Sequence, residues 1–424
     1  MPSDITDLPI GNAAHEVLDL ERSVPLDGEF DITLGDSFAD PNVRAHFARQ
    51  QQTGAIRLYR MRDVTLDASL MLLLRGRSRI TETRYLVTDQ EYADTLVKPL
   101  HAVPLDPADH YVIGCNRAWH NYYHWLIQSL PAIDLGLRHG SHRKVTLVLS
   151  SLQPWQEQSL TLLGCQDIPR QTLQVSDTFL LPSAEFSDLL GGQAPGMVSR
   201  ATMATFHRLS QAVPWARGAA DEIYVARTDA RNRVSENEAE LIGLLERQGV
   251  RIVVPGALSV AEQIAAFRAA RLVIGPHGAG MSNIVFCQSG SFVYELLPRH
   301  YPNAAFNRLA QAAGLNYWAD LFEAAGAGHA HERSWRIDVD VVAARLDAIR
   351  ARIAATPRVE SAMNFLRRTQ VEHPDEAAAP GRAAMPDPVA PEVVATPNVV
   401  ASEPQRRGGW FVRFRRLFSR GDGR

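Results

Sequence analysis

Up to about residue 105 the apolar positions recur at short spacing. Arg57-Leu58-Tyr59-Arg60-Met61 alternates, and Leu70-Met71-Leu72-Leu73-Leu74 is an unbroken apolar run that stops at Arg75-Gly76. Alternation predicts half-buried strands and the short run a buried one, so this part reads as β-rich. From about 109 the period switches between strand and helix. Tyr111-Val112-Ile113 leads into a helical stretch over 119–138, and Val145-Thr146-Leu147-Val148-Leu149 is the next strand. A helix over 155–163 and a strand at Phe179-Leu180-Leu181 follow. After Gly191-Gly192-Gln193-Ala194-Pro195-Gly196 the alternation resumes with strand 223–226, helix 236–248, strand 251–254 and helix 260–270. Strand 272–274, a glycine-rich turn with a short helix, and strand 292–294 complete it. Strands separated by single helices and short turns imply parallel βαβ units. The glycine–proline break near 195 divides them into two expected domains, 1–195 and 196–372, the second closing with terminal helices.

Beyond about 372 the periodicity stops. Pro374, Pro380, Pro386, Pro388, Pro391, Pro397 and Pro404 are scattered among alanines. Such a segment buries too little apolar surface to offset its ordering entropy, so 373–409 reads as a disordered linker. The last stretch, 410–424, is different. Phe411, Phe414 and Phe418 recur at i, i+3 and i+7, with Arg413, Arg416 and Arg420 elsewhere around the helix. Aromatic and basic faces on one short helix suit a segment lying in an anionic membrane surface.

Charge sharpens that division. The 424 residues carry 44 Lys+Arg against 47 Asp+Glu, a net −3. From Arg406 onward seven arginines face only Asp422, about +6, which leaves about −9 on the remainder (−3 − 6). That balance argues against a basic nucleic-acid coat, and no nucleic-acid partner is expected. The three cysteines, Cys115, Cys165 and Cys287, form no C-x-x-C pair and suit reduced thiols. No secretory leader and no run of about 18–20 apolar residues is read. The expectation is a soluble chain, cytoplasmic and peripheral at the inner face of the cell membrane.

Three constellations could carry chemistry. Trp119-His120-Asn121-Tyr122-Tyr123-His124-Trp125 opens a helix after an apolar strand, and the carboxyl end of a strand is where α/β sheets bind ligands. His120 and His124 share a helix face; no further ligands follow, and no metal site is assigned. His124 is either a satisfied structural histidine or a cleft-facing acid/base. Gly275-Pro276-His277-Gly278-Ala279-Gly280-Met281-Ser282-Asn283 follows a strand, where glycines let backbone N–H groups approach an anion. It matches neither G-x-G-x-x-G nor a P-loop. Arg227, Arg231 and Arg233 follow another strand and could grip a diphosphate. Ser235 with Glu238 has the spacing of a capping box. Glu295 ends the strand after the glycine turn and could accept ribose hydroxyls or pair with an arginine.

In order along the chain, these segments resemble glycosyltransferase family 61. The resemblance rests on Asn121-Tyr122-Tyr123-His124-Trp125 with Leu130-Pro131, and on Arg227 with Arg231, Arg233 and Asn237-Glu238. Leu258-Ser259 with Glu262-Gln263, the 275–280 turn and Tyr294-Glu295-Leu296 complete it. Gln128 and Ala132 stand where bacterial members commonly carry an acid and an arginine. The resemblance implies a GT-B type fold, two Rossmann-like domains facing a cleft, with the donor on the second and the acceptor on the first. It implies a metal-independent inverting transferase with no cofactor beyond its nucleotide-sugar substrate. The acceptor would be a glycan or lipid-linked glycan in capsular or exopolysaccharide assembly. His124 is then the expected base or acceptor-orienting group, with Asn121, Tyr122, Tyr123 and Trp125 on the acceptor side. Arg227, Arg231, Arg233, His277, Gly278, Ala279, Gly280, Asn283 and Glu295 are the expected donor contacts. A non-catalytic nucleotide-sugar or glycan-binding protein and a nucleotide-sugar epimerase are the alternatives on the same fold.

Overall fold

Two β-sheets organise the chain in a computed structural model that describes residues 6–26, 30–49, 52–95, 101–140, 144–191, 199–215 and 220–356. The expected linker and basic tip, 373–409 and 410–424, lie outside the described residues.

The first sheet is mixed. At its centre Ile56–Asp67 runs antiparallel to Thr178–Ser187, in register from Asp67↔Thr178 to Leu58↔Ser187. On the far side of Thr178–Ser187, the strands His110–Ile113, Val145–Ser150 and Arg170–Leu173 lie parallel, crossed over by helices Leu130–His139 and Pro154–Leu162. On the near side Leu72–Arg75 and Ser78–Ile80 add antiparallel hairpin strands. The early β-rich stretch and the α/β stretch after 109 therefore share one sheet.

The second sheet is parallel throughout its described strands. Its order is Arg251–Val253, Glu222–Val225, Leu272–Pro276, Phe292–Pro298, Asn316–Phe322 and Ile32–Leu34. Leu272–Pro276 and Phe292–Pro298 are buried at every position. Both faces are covered, which is why they read as apolar runs rather than alternating strands. The edge strand Ile32–Leu34 comes from far upstream, a pairing that the sequence pattern does not announce.

One apolar cluster runs from Leu58, Leu130 and Leu149 of the first sheet to Val225, Phe267, Val273 and Met281 of the second. A second cluster, with Trp335, Leu346 and Ile349, covers the other face of the parallel sheet. All three cysteines are buried free thiols.

Strand order reverses between Glu222–Val225 and Leu272–Pro276, because the chain passes from the first to Arg251–Val253 on one side before returning to the other. The loops leaving these neighbouring strands diverge, and at such a point an open parallel sheet forms a ligand crevice.

Candidate active site

The floor of that crevice is the glycine turn. His277 N–H bonds the Leu296 carbonyl at 2.9 Å, and the chain then enters the 3-10 helix Ala279–Phe286. Close approach, not backbone dihedral, requires the glycines. A Cβ on Gly278 would lie 2.5 Å from Arg227 Nε, one on Gly275 2.7 Å from Met281 Sδ, and one on Gly280 3.0 Å from Pro255 Cγ. The missing side chain of Gly278 is the space through which Arg227 passes. Arg227 donates to the carbonyls of His277 (2.9 Å) and Asn232 (3.0 Å). Burial, then the charge of Arg233, pushes its guanidinium down to about 10. Those bonds tie the loop after one strand to the turn after its neighbour.

Glu238 supports this loop from beneath. Its Oε1 accepts from the Arg227 N–H at 2.7 Å and from the Tyr224 hydroxyl at 3.0 Å. The expected capping box with Ser235 does not form, because Arg233 takes a left-handed backbone (φ 51) and Ser235 bridges to Trp335. The helix starts after Asn237, whose amide bonds Ile337. Arg231 is exposed on the same loop.

Across the crevice stands the start of helix Tyr122–His124. Asn121 caps it, its Oδ1 accepting from Tyr123 N–H at 2.9 Å. Together the two sides enclose a cleft of about 420 Å³, lined by His120, Tyr122 and Trp155 on one side and Arg227, Asp229, Gly278, Ala279 and Gly280 on the other. Tyr122 closes its inner end: its hydroxyl donates to Asn283 Oδ1 at 2.6 Å, while Asn283 Nδ2 donates to Gln263 at 2.9 Å. Asn283 is fully buried, so this expected donor contact is instead a strut between the two sheets. Trp125 is corrected likewise. It is 1% exposed and donates to Ser159, so it packs the helix against its neighbour rather than meeting an acceptor.

His124 is half-buried. Its Nδ1 is 2.9 Å from Gln128 Oε1 and 3.1 Å from the Tyr85 hydroxyl. Burial lowers its pKa, the bond to Gln128 raises it, and His120 lowers it further; the net direction is down. Tyr123 rests edge-on against His124 and Phe306, and burial pushes its phenol up to about 12.

His277 packs against Phe306 and Tyr301, at ring distances of 4.9 and 5.5 Å. Its Nδ1 is 2.6 Å from Glu295 Oε1, and Tyr317 donates to Oε2 of the same carboxylate. Glu295 is 0% exposed with both oxygens engaged. At this expected ribose contact, both carboxylate oxygens are already held by His277 and Tyr317. Arg233 stacks over Tyr301 at 4.7 Å and reaches His331. Tyr85, Trp155, Tyr301 and His331 join the site without a sequence signal, since each is isolated in a stretch with no motif.

Among the described residues, no group of three or more His, Cys, Asp or Glu side chains is placed to hold a metal ion. The chain contains one Asp-x-Asp triplet, Asp338-Val339-Asp340. Asp338 caps the helix Val339–Ala355 by accepting from Val341 N–H at 3.1 Å, and both carboxylates are exposed.

A glycine turn and a half-buried arginine at a switch point, facing an aromatic–histidine helix start, make a cleft fit for an anionic activated donor. The protein is a glycosyltransferase. Residues 122–294 match the family model Glycosyltransferase 61, from Tyr122 at the cleft's inner end to Tyr294 beside Glu295. No curated protein matches the chain. Among solved structures, the bacterial iron-containing dodecameric glycosyltransferase TibC from enterotoxigenic E. coli H10407 is 12% identical. That match covers 57% of this chain and 75% of the other with a TM-score of 0.26, a likeness too slight to carry an argument.

Proposed function

We propose that the chain transfers a sugar, with inversion, from a nucleoside-diphosphate donor on the second sheet to a glycan or lipid-linked glycan hydroxyl on the first. The observation that carries this reading is Arg227 and the 278–280 turn facing His120, Tyr122 and Trp155 across one cleft. In the reaction the acceptor hydroxyl gives its proton to His124, and its oxygen bonds the anomeric carbon. The bond from that carbon to the diphosphate oxygen breaks, and the leaving group takes the electron pair. Positive charge and backbone N–H groups already in place at the diphosphate stabilise that developing charge without reorganisation. Arg227, Arg233 and the turn are suited to that task, and none of these residues needs a metal to perform it. Tyr122, Tyr123 and Trp155 supply flat faces for sugar or base.

No described helix is long and apolar enough to cross a membrane. We place the protein at the inner membrane face through its 410–424 segment, where surface-polysaccharide acceptors on lipid carriers would be met.

A thermal-shift screen tests the core of this reading. Nucleoside diphosphates and nucleotide sugars should raise the melting temperature of the full chain, since a ligand bound only to the native state stabilises it. Arg227→Ala should lose most of that rise. No rise with any nucleotide, or an equal rise in the variant, would overturn it. The donor so identified should then be consumed in the presence of a glycan acceptor.

A further inference from the structure

The turn after His124 is a π-turn. Residues Trp125–Ser129 close on a Leu130 N–H to Trp125 carbonyl bond, a wider ring than an α-helix allows. Such turns are rare and are found mostly at functional sites. Inside this one, Gln128 is 6% exposed and its Oε1 sits 2.9 Å from His124 Nδ1 and 3.1 Å from Asn116 Nδ2.

The direction of each bond in this group follows from the backbone. Ala118 N–H can only donate, and it lies 3.0 Å from Asn116 Oδ1. That oxygen is therefore an acceptor, and the other arm of the Asn116 amide is the NH₂ group. The NH₂ donates to Gln128 and, at 3.4 Å, to the Leu190 carbonyl. Gln128 must then present its carbonyl oxygen on this side, and a carbonyl oxygen only accepts. The proton between Gln128 and His124 consequently belongs to His124 Nδ1. In a neutral imidazole with Nδ1–H, the lone pair available for basic chemistry is on Nε2. No described residue bonds Nε2, and it is not among the enclosed atoms without a partner, so it is open to solvent.

We propose that Ala118 N–H, Asn116 and Gln128 form a relay that locks His124 in the Nδ1–H tautomer and keeps Nε2 free to take the acceptor's proton. Asn116 and Gln128 are thus positioning residues. The inference deepens the reading of His124 as the base and rests on it. The amide at 128 also matters for charge. A carboxylate there would favour the imidazolium, which cannot accept a proton, whereas an amide fixes the tautomer without that pull. The titratable groups that face His124 are Tyr85, Tyr123 and His120, none of them a carboxylate.

The test is long-range ¹H–¹⁵N NMR on the full chain labelled with ¹⁵N-histidine. The His124 signals are assigned by their loss in His124→Asn. The wild type should show the Nδ1–H pattern at pH 7.5. Gln128→Met should lose that preference, and Asn116→Leu should weaken it. Gln128→Glu, nearly isosteric, should keep the tautomer and raise the titration midpoint by about 1 unit or more. The same substitution should move the acid limb of the turnover–pH profile upward by a similar amount. An Nε2–H pattern in the wild type, or an unchanged tautomer in a folded Gln128→Met, would overturn the relay. Retained turnover in His124→Asn, with the expected tautomer seen in the wild type, would instead overturn His124 as the base.

Discussion

His277 Nδ1 lies 2.6 Å from Glu295 Oε1, and the hydroxyl of Tyr317 holds the other oxygen of that carboxylate. The imidazole that begins the glycine turn is thus oriented from a neighbouring strand, Phe292–Pro298, and from the strand beyond it. A fully buried carboxylate with two hydrogen-bond partners is a structural element whose loss strands both of them.

Glu295→Ala should therefore cost about 3–5 kcal/mol of stability. Urea unfolding of the full chain checks this. A direct ribose contact would behave differently, with unchanged stability and weakened donor binding.

At Gly278 the requirement is space. The backbone is extended (φ −176), a conformation open to any residue, but an added Cβ would meet Arg227 Nε at 2.5 Å and Cδ at 2.7 Å. Gly278→Ala should displace the arginine and lose a charged hydrogen bond to the ligand, about 1.5–3 kcal/mol, or about tenfold or more in nucleoside diphosphate affinity. Calorimetric titration with the nucleotide found by thermal shift measures it. Unchanged affinity would mean that Arg227 does not contact the diphosphate.

Asp188 gives a prediction for pH. Burial raises its carboxyl to about 6, above the ordinary value of 3.8, against the pull of Tyr59 and Arg57. Between those values the folded state holds a proton that the unfolded state has released. Stability from this group therefore grows as pH falls from about 7 toward 4 and is lost as pH rises through about 6. Asp188→Asn should flatten that window, seen as a smaller change in urea midpoint between pH 5 and 7.5. A slope unchanged by the substitution would remove Asp188 as its source.

The basic tip makes a separate prediction. The full chain should sediment with vesicles containing phosphatidylserine and not with neutral ones, more weakly at high salt. Replacing Phe411, Phe414 and Phe418 with serine should abolish the pelleting. Equal pelleting of the variant would mean that the contact lies elsewhere.

Much of the second sheet is legible because parallel strands with both faces covered announce themselves as apolar runs, as at Leu272–Pro276, and because helices such as Val260–Ala269 carry an evident box of Ser259 and Glu262. The helix Arg200–Gln211 is not, since it buries Thr202 and Thr205 beside Phe206 and Leu209 and so blurs its apolar period. Glu295 illustrates the limit for the site. Its place at a strand end after a glycine turn is visible, but its burial depends on Tyr317, from a strand that local pattern leaves unmarked. Ser235 and Glu238 have the right spacing for a box, and the left-handed backbone at Arg233 undoes it.

The edge strand Ile32–Leu34 pairs with Tyr317, Trp318 and Ala319, which leave the ribosome some 280 residues later. At about 5–20 residues per second, the early strand waits roughly 15–60 s for its partner. The order of assembly is thus set against the order of synthesis. The sheet that carries the glycine turn can finish only after almost the whole described body has emerged, so nascent chains stopped before residue 316 would hold an incomplete sheet and an unpaired, association-prone strand.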